Sequence, residues 1–293
     1  MIQKTDTGVL ANIASEMMTA IRFTMEHNAP MSNLVTKFTL KKGHDTGIFP
    51  KVAQMSLHDL QEGEDIIDEE DIGLTTQSVT TGEVGAKVII TTRLLDRVSS
   101  GATSNIWTPV GEQLGDAAAR KMDTDLLALF SALNGGTDLG SAGYEASSAN
   151  IMSAISIAKS DKYGGDLRFV LHPNAMLRLI RDLSTIGSGV NRPIPAGFSE
   201  DLLNRFWTGL MLGGVSFWED GHITEDGSGD GINAIFNKTA LAILMSTEIH
   251  RGKTFDESRR AWELVLVTDY AAFELDDTEG APVTLDVANP ALA

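Results

Sequence analysis

Apolar residues first recur at helical spacing. Leu10, Ile13, Met17, Ile21 and Met25 fall three or four apart and predict an amphipathic helix over residues 8–27, closed by Asn28-Ala29-Pro30. Residues 33–41 then read as a strand. Further on the period drops to two: Val84, Ala86, Val88 and Ile90 alternate with Gly85, Lys87 and Ile89, the mark of a half-buried strand. Back toward Leu74 that alternation fails. Thr75, Thr76, Gln77, Ser78, Thr80 and Thr81 make both faces polar, although the residues remain β-prone. The earlier segment 46–61 is extended in character and carries Pro50, which fits an edge strand. Together the two segments predict a long hairpin whose outer half leaves the body. Two-stranded hairpins are marginal in water and open strand edges invite pairing. Another subunit is therefore expected to cover this arm.

The strongest helical pattern begins at Thr108-Pro109, a cap followed by proline at the first helical position. Val110, Leu114, Ala118, Met122, Leu126, Leu129, Phe130 and Leu133 form one stripe, with Asp116 and Arg120 four apart on the other side. Asn134-Gly135-Gly136 stops it. At about 1.5 Å per residue, a helix of this length is about 35–40 Å long, enough to cross a domain. Residues 137–148 read as a loop, 148–160 as a helix, 167–173 as a strand, and Pro173 opens another helix. Residues 184–198 read as a Gly- and Pro-containing loop, 199–207 as a short helix, 214–220 as a strand and 226–231 as a turn. Strands are expected near 232–238, 260–268 and 271–276. This order is α+β, without regular βαβ units or an internal repeat.

Composition narrows the class. A chain of 293 residues lies where single cores stop growing, so two lobes are expected. Hydrophobic residues at 42% and charged residues at 22% describe a folded protein. No apolar run approaches the ~18 residues of a membrane span, and polar residues stand where a secretory signal would have its apolar core, so folding in the cytoplasm is expected. Without cysteine there are no disulfides, thiolate nucleophiles or cysteine zinc sites. A net charge of −17 argues against a broad nucleic-acid-gripping surface.

Candidate chemistry is sparse. Glu62, Glu64, Asp65, Asp68, Glu69, Glu70 and Asp71 fall within ten positions, at or near the tip of the expected hairpin. Hard cations favour clustered carboxylates, but a run in sequence does not make ligands converge. Exposed carboxylates repel by only about 1 kcal/mol or less per pair in water. A solvated or subunit-contacting tip is the better reading, and no metal is expected there. Asp226, Ser228, Asp230 and Gly231 match calcium-loop offsets, but Asn237 stands where a bidentate Glu belongs, so a turn is expected. His27, His44, His58, His172, His222 and His250 form no HExxH, and no Walker, GxSxG or GxGxxG motif is present. Asp123 and Asp125 lie two apart on the long helix, so they do not share a face. Arg251, Lys253, Arg259 and Arg260 form the richest basic segment, a poor nucleic-acid patch because Asp256 and Glu257 interrupt it. They are plausible charge partners for a neighbour's acidic tip. No catalytic constellation, cofactor site or metal site emerges, and the chain reads as a non-enzyme.

The order of elements nonetheless resembles the major capsid proteins of tailed bacteriophages, the HK-97-type capsid fold, from about residue 33 to the end. Residues 83–98, "EVGAKVIITTRLLDRV", look like the return strand of the family's E-loop, and 111–130, "GEQLGDAAARKMDTDLLALF", like its spine helix. Then "LRFVLHPNAMLRLIRDL", "GVSFWEDGHI" and "NAIFNKTALAIL" follow the order of its axial domain, and "RRAWELVLVTDYAAFELDD" looks like its closing strands. The resemblance implies an N-terminal arm at 1–43, an E-loop hairpin at 44–92, a peripheral domain from 93–146 and 246–293, and an axial domain at 147–245. It implies self-assembly through hexamers and pentamers into an icosahedral head enclosing double-stranded DNA without sequence-specific binding. It also implies a location in the virion after assembly in the host cytoplasm. Its expected partners are a separate scaffolding protein, a portal and possible decoration proteins. Three alternatives stand beside it: an encapsulin-like compartment of the same fold, a metal-dependent hydrolase using Asp and Glu ligands, and a virion adaptor or tail component.

Overall fold

The computed structural model describes residues 30–52, 73–92, 107–160, 165–185 and 211–289. The helix expected at 8–27, the acidic run at 62–71 and the helix expected at 199–207 lie outside these residues. A short helix, α1 (Pro30–Leu34), precedes β1 (Thr36–Thr39) and the hairpin strands β2 (Thr46–Val52) and β3 (Leu74–Thr80). Next come β4 (Gly82–Thr91), the long helix α2 (Trp107–Ala128) and a 3₁₀ turn at Leu133–Gly136. Helix α3 (Ser148–Ser160), β5 (Leu167–Leu171), α4 (Pro173–Thr185), β6 (Met211–Leu212) and β7 (Val215–Glu219) follow. The chain continues through β8 (Asp230–Asn237), β9 (Leu241–Asp256), β10 (Ala261–Glu274) and β11 (Gly280–Asp286).

These strands form three sheets, in orders β1-β9-β10-β4, β11-β8-β5-β7-β6 and β2-β3. The architecture is α+β. Period-two alternation decides how the five-stranded sheet is covered. Phe169, Leu171, Ile235 and Val283 point to one face, where Ile151 and Ala154 of α3 and Leu179 of α4 close a core. Val170, Ala234 and Phe236 point to the other, against Leu126 of α2, Phe130 just past its end and Met31 of α1. Helices therefore lie on both faces. Earlier along α2, Leu114 joins Ile90 of β4 with Leu264 and Leu266 of β10 in a further core. One helical stripe thus packs against both large sheets, but the helix differs from its expected bounds: Thr108 lies inside it, not at its cap, and it ends at Ala128, so Leu129, Phe130 and Leu133 continue the stripe through turns, not helix.

Three readings of the strands are corrected. Residues 72–92 are two strands, not one. Leu74–Thr80 pairs with β2, while Gly82–Thr91 pairs with β10 in a different sheet. The break sits at Thr81, whose N–H and hydroxyl both donate to the Asp45 carbonyl, at 2.9 and 3.2 Å. Strand β9 was not expected at all. Leu241 to Leu244 are buried on both faces, and the rest of the strand is largely polar, so no period of two marks it. The strands expected at 260–268 and 271–276 form one strand whose register shifts around Asp269, and that irregularity breaks the alternation. Sheet membership also crosses the expected domain boundary at 245/246: β9 runs through it, and β11 joins the five-stranded sheet.

One side chain closes the C-terminal strand onto the helical layer. Arg178 of α4 pairs with the Asp286 carboxylate and donates to the carbonyls of Asp286 and Ala288, at 3.2 and 3.0 Å. The guanidinium holds the Asp286 carboxyl below its ordinary range. A depressed folded-state value means that the stabilisation is present above the ordinary carboxylate pKa and is lost as pH falls through the folded value. Arg178→Met should therefore raise the Asp286 midpoint toward the ordinary value and cost about 1–2 kcal/mol near neutral pH. A carboxyl-carbon NMR titration checks this; an unmoved midpoint would remove Arg178 as the cause.

Candidate functional site

The β2–β3 hairpin is anchored at its base and open beyond it. Phe49 packs between Phe38 and Phe273, with ring centroids 4.9 and 4.8 Å apart. Val79 is buried in the same cluster with Ala242 and Leu244, and Lys51 pairs with Asp276. The opposite face carries Ile48, Val52 and Leu74, exposed by 68%, 55% and 60%. Val52 and Leu74 are direct cross-strand partners, so this apolar face runs to the last described pair of the arm. Both edges of the two-stranded sheet are unpaired among the described residues. The polar threonines of β3 make the outer arm read as polar in the sequence. The missed apolar character comes from Ile48 and Val52 on β2, one face of a period-two pattern either side of Pro50.

The acidic residues Glu62, Glu64, Asp65, Asp68, Glu69, Glu70 and Asp71 fall in the connection between these strands, outside the described residues. The basic candidates lie around the β9–β10 hairpin, where residues of this chain contact Lys253 and Arg259. The Lys253 ammonium sits over the Trp262 ring, 4.2 Å from its centroid. Arg259 pairs with Asp256 at 3.4 Å and Glu263 at 3.1 Å. Arg251 belongs to β9, and Arg260 takes a positive φ of 49° in the tight turn before β10. The Asp226 turn closes on itself: its Oδ1 accepts from the N–H groups of Ser228 and Asp230 at 2.7 and 2.9 Å. These bonds hold its carboxyl below the ordinary range.

A second constellation was missed. Asp123 of α2 is fully buried, one residue from Met122 on the arc that packs into the core. Its Oδ1 accepts from the Met31 N–H at 3.2 Å, and its Oδ2 lies 3.0 Å from His222 Nδ1. Asp220, just past the end of β7, is also buried, and its Oδ1 accepts from the His222 N–H at 2.8 Å. Burial, and next the neighbouring Asp220 carboxylate, push the Asp123 carboxyl up to about 7. Asp125 is indeed on a different face. It accepts from the Tyr270 hydroxyl at 2.7 Å and pairs with Lys121 at 2.5 Å. Comparing Asp123 only with Asp125 hid the signal. The informative feature was a lone carboxylate on the buried side of an apolar stripe.

Among the described residues no helix is long and apolar enough to cross a membrane. No protein-family profile and no curated protein matches the chain. Solved structures do. The cyanophage Pam1 capsid subunit superposes with a TM-score of 0.66 at 12% identity, over 88% of this chain and 90% of that one. The mature capsid of bacteriophage PhiM1 gives 0.62 at 14%, over 88% and 87%. The holo-SrpI encapsulin complex from Synechococcus elongatus gives 0.62 at 10%, over 90% and 89%. At these identities the likeness establishes architecture, and over nearly nine-tenths of its length this chain has the fold shared by phage capsid and encapsulin proteins.

Proposed function

We propose that the chain is a structural shell subunit, the major capsid protein of a tailed-phage head of the HK-97 type, assembling through hexamers and pentamers around double-stranded DNA. The observation that carries this reading is the β2–β3 arm. Among the described residues it has two unpaired edges and an exposed Ile48–Val52–Leu74 face, on a fold shared with phage capsids. In this reading the arm is the E-loop, laid over an adjacent subunit that buries its apolar face. Residues 1–43 are the N-terminal arm, α2 is the spine helix, β4, β9 and β10 are peripheral, and the five-stranded sheet is axial. The acidic run then meets a neighbour or solvent. Among the four basic candidates Arg251, Lys253, Arg259 and Arg260, Lys253 and Arg259 also contact residues of their own chain.

A net charge of −17 supports DNA as the content. In this reading an inner face that is not basic would leave the duplex free to slide during packaging, and a charge-reversed inner face that still packaged normally would count against it. The encapsulin-like alternative shares the fold, and the SrpI likeness keeps it in view. Purified particles distinguish the two: nuclease-protected double-stranded DNA supports a virion head, and an enclosed protein cargo without DNA supports a compartment. A separate scaffolding protein, a portal and decoration proteins complete the proposed set of partners.

A further inference from the structure

We propose that Asp123, Asp220 and His222 form a structural zinc site, joining the long helix to the turn after β7. The inference is independent of the shell reading. One oxygen from each carboxylate and one imidazole nitrogen all lie within 4.8 Å of one another. His222 Nδ1 is 3.0 Å from Asp123 Oδ2 and 3.3 Å from Asp220 Oδ1. Tetrahedral zinc with bonds of about 2.0–2.1 Å requires ligand atoms about 3.3 Å apart. The two spacings from His222, 3.0 and 3.3 Å, lie close to that edge, and the third lies within 4.8 Å, so a small shift of the side chains completes the set.

A second observation points to a ligand. Asp220 Oδ2 is buried and has no hydrogen-bond partner. Asp220 is only 2% exposed and Asp123 is fully buried, so an unpartnered carboxylate oxygen here forfeits its water without replacement. Two neighbouring buried carboxylates are held by a shared proton or by a cation, and His222 supplies the nitrogen that selects for zinc over the all-oxygen cages of calcium and magnesium.

The surroundings fit a metal ligand set. The Met31 N–H orients Asp123 through Oδ1, and the His222 N–H orients Asp220 through Oδ1. Such outer contacts fix ligand geometry. The His222 side chain is 34% exposed, which gives an ion a route in and water a place at the fourth position. The two acid ligands come from α2 and the end of β7, and Met31 belongs to α1. An ion here would hold all three elements together.

The test uses the full-length protein, stripped with chelator and dialysed against excess Mg²⁺ to occupy surface carboxylates. Equilibrium dialysis with Zn²⁺ should show about one tightly bound ion per chain, with a dissociation constant of about 1 μM or below, and a rise in Tm of about 5 °C. Co²⁺ in its place should give the visible absorption of a four- or five-coordinate site. Asp220→Asn and His222→Gln should each weaken binding about 100-fold. Binding no tighter than Mg²⁺, or zinc binding equal in folded wild type and both variants, would overturn the proposal. Should either variant fail to fold, the wild-type Co²⁺ spectrum decides: an octahedral, solvent-like spectrum refutes the site.

Discussion

Replacing Ile48, Val52 and Leu74 together by serine is expected to leave the subunit folded and abolish shell formation. All three side chains are exposed by more than half in the isolated chain, so the fold loses almost no burial. In an assembled shell each is worth about 1.5–3 kcal/mol if fully covered by a neighbour. The loss repeats at every subunit contact. An independent variant tests the same arm by length. Val52 and Leu74 are cross-strand partners, so residues 53–73 can be replaced by Asn-Gly, the pair favoured in two-residue hairpin turns. That chain should keep wild-type circular dichroism and stay in small species on sedimentation. Normal closed particles from both variants would mean that the arm is not the subunit contact proposed for it.

The second large effect lies in the core. Phe130→Ala should destabilise the subunit by about 3–5 kcal/mol and lower Tm by about 10 °C at a fixed scan rate. Phe130 and Phe236 are both fully buried, with ring centroids 5.7 Å apart. They join the end of α2 to β8, where the long helix meets the inner face of the five-stranded sheet. Leu126, Met31 and Leu241 close the same cluster and cannot collapse into the space without moving the helix. A drop of less than about 1 kcal/mol would show that this contact is not what fixes α2 on the sheet.

Much of this architecture was legible because period and burial agree. The stripe from Val110 predicts α2 and its buried side, although the helix ends at Ala128 and not at Leu133, and residues 148–160 are a helix as read. Val84 to Ile90 alternates as expected and alternates in burial. What failed did so where local pattern stops being informative. Strand β9 begins in a segment buried on both faces, which has no period of two. The switch from β3 to β4 at Thr81 changes sheet beside a single glycine, Gly82, within a run of β-prone residues, and one glycine does not by itself mark a change of sheet. The closing strand β11 joins β8, a pairing set by tertiary contact that no local signal carries. The arm was recognised as an outlying hairpin from its polar threonines, but its apolar face was not, because Ile48 and Val52 were read with the strand that precedes the acidic run. The Asp123 constellation needed three segments brought together from separate parts of the chain. Only the misplaced carboxylate on the buried stripe announced it.

The most direct test of the central claim is the size of the purified protein by sedimentation and negative-stain microscopy, with the products of neighbouring genes coexpressed to supply a scaffold. The account predicts hollow, closed particles of uniform diameter, on the order of tens of nanometres. A chain that stays monomeric or dimeric under every condition, scaffold included, would contradict it.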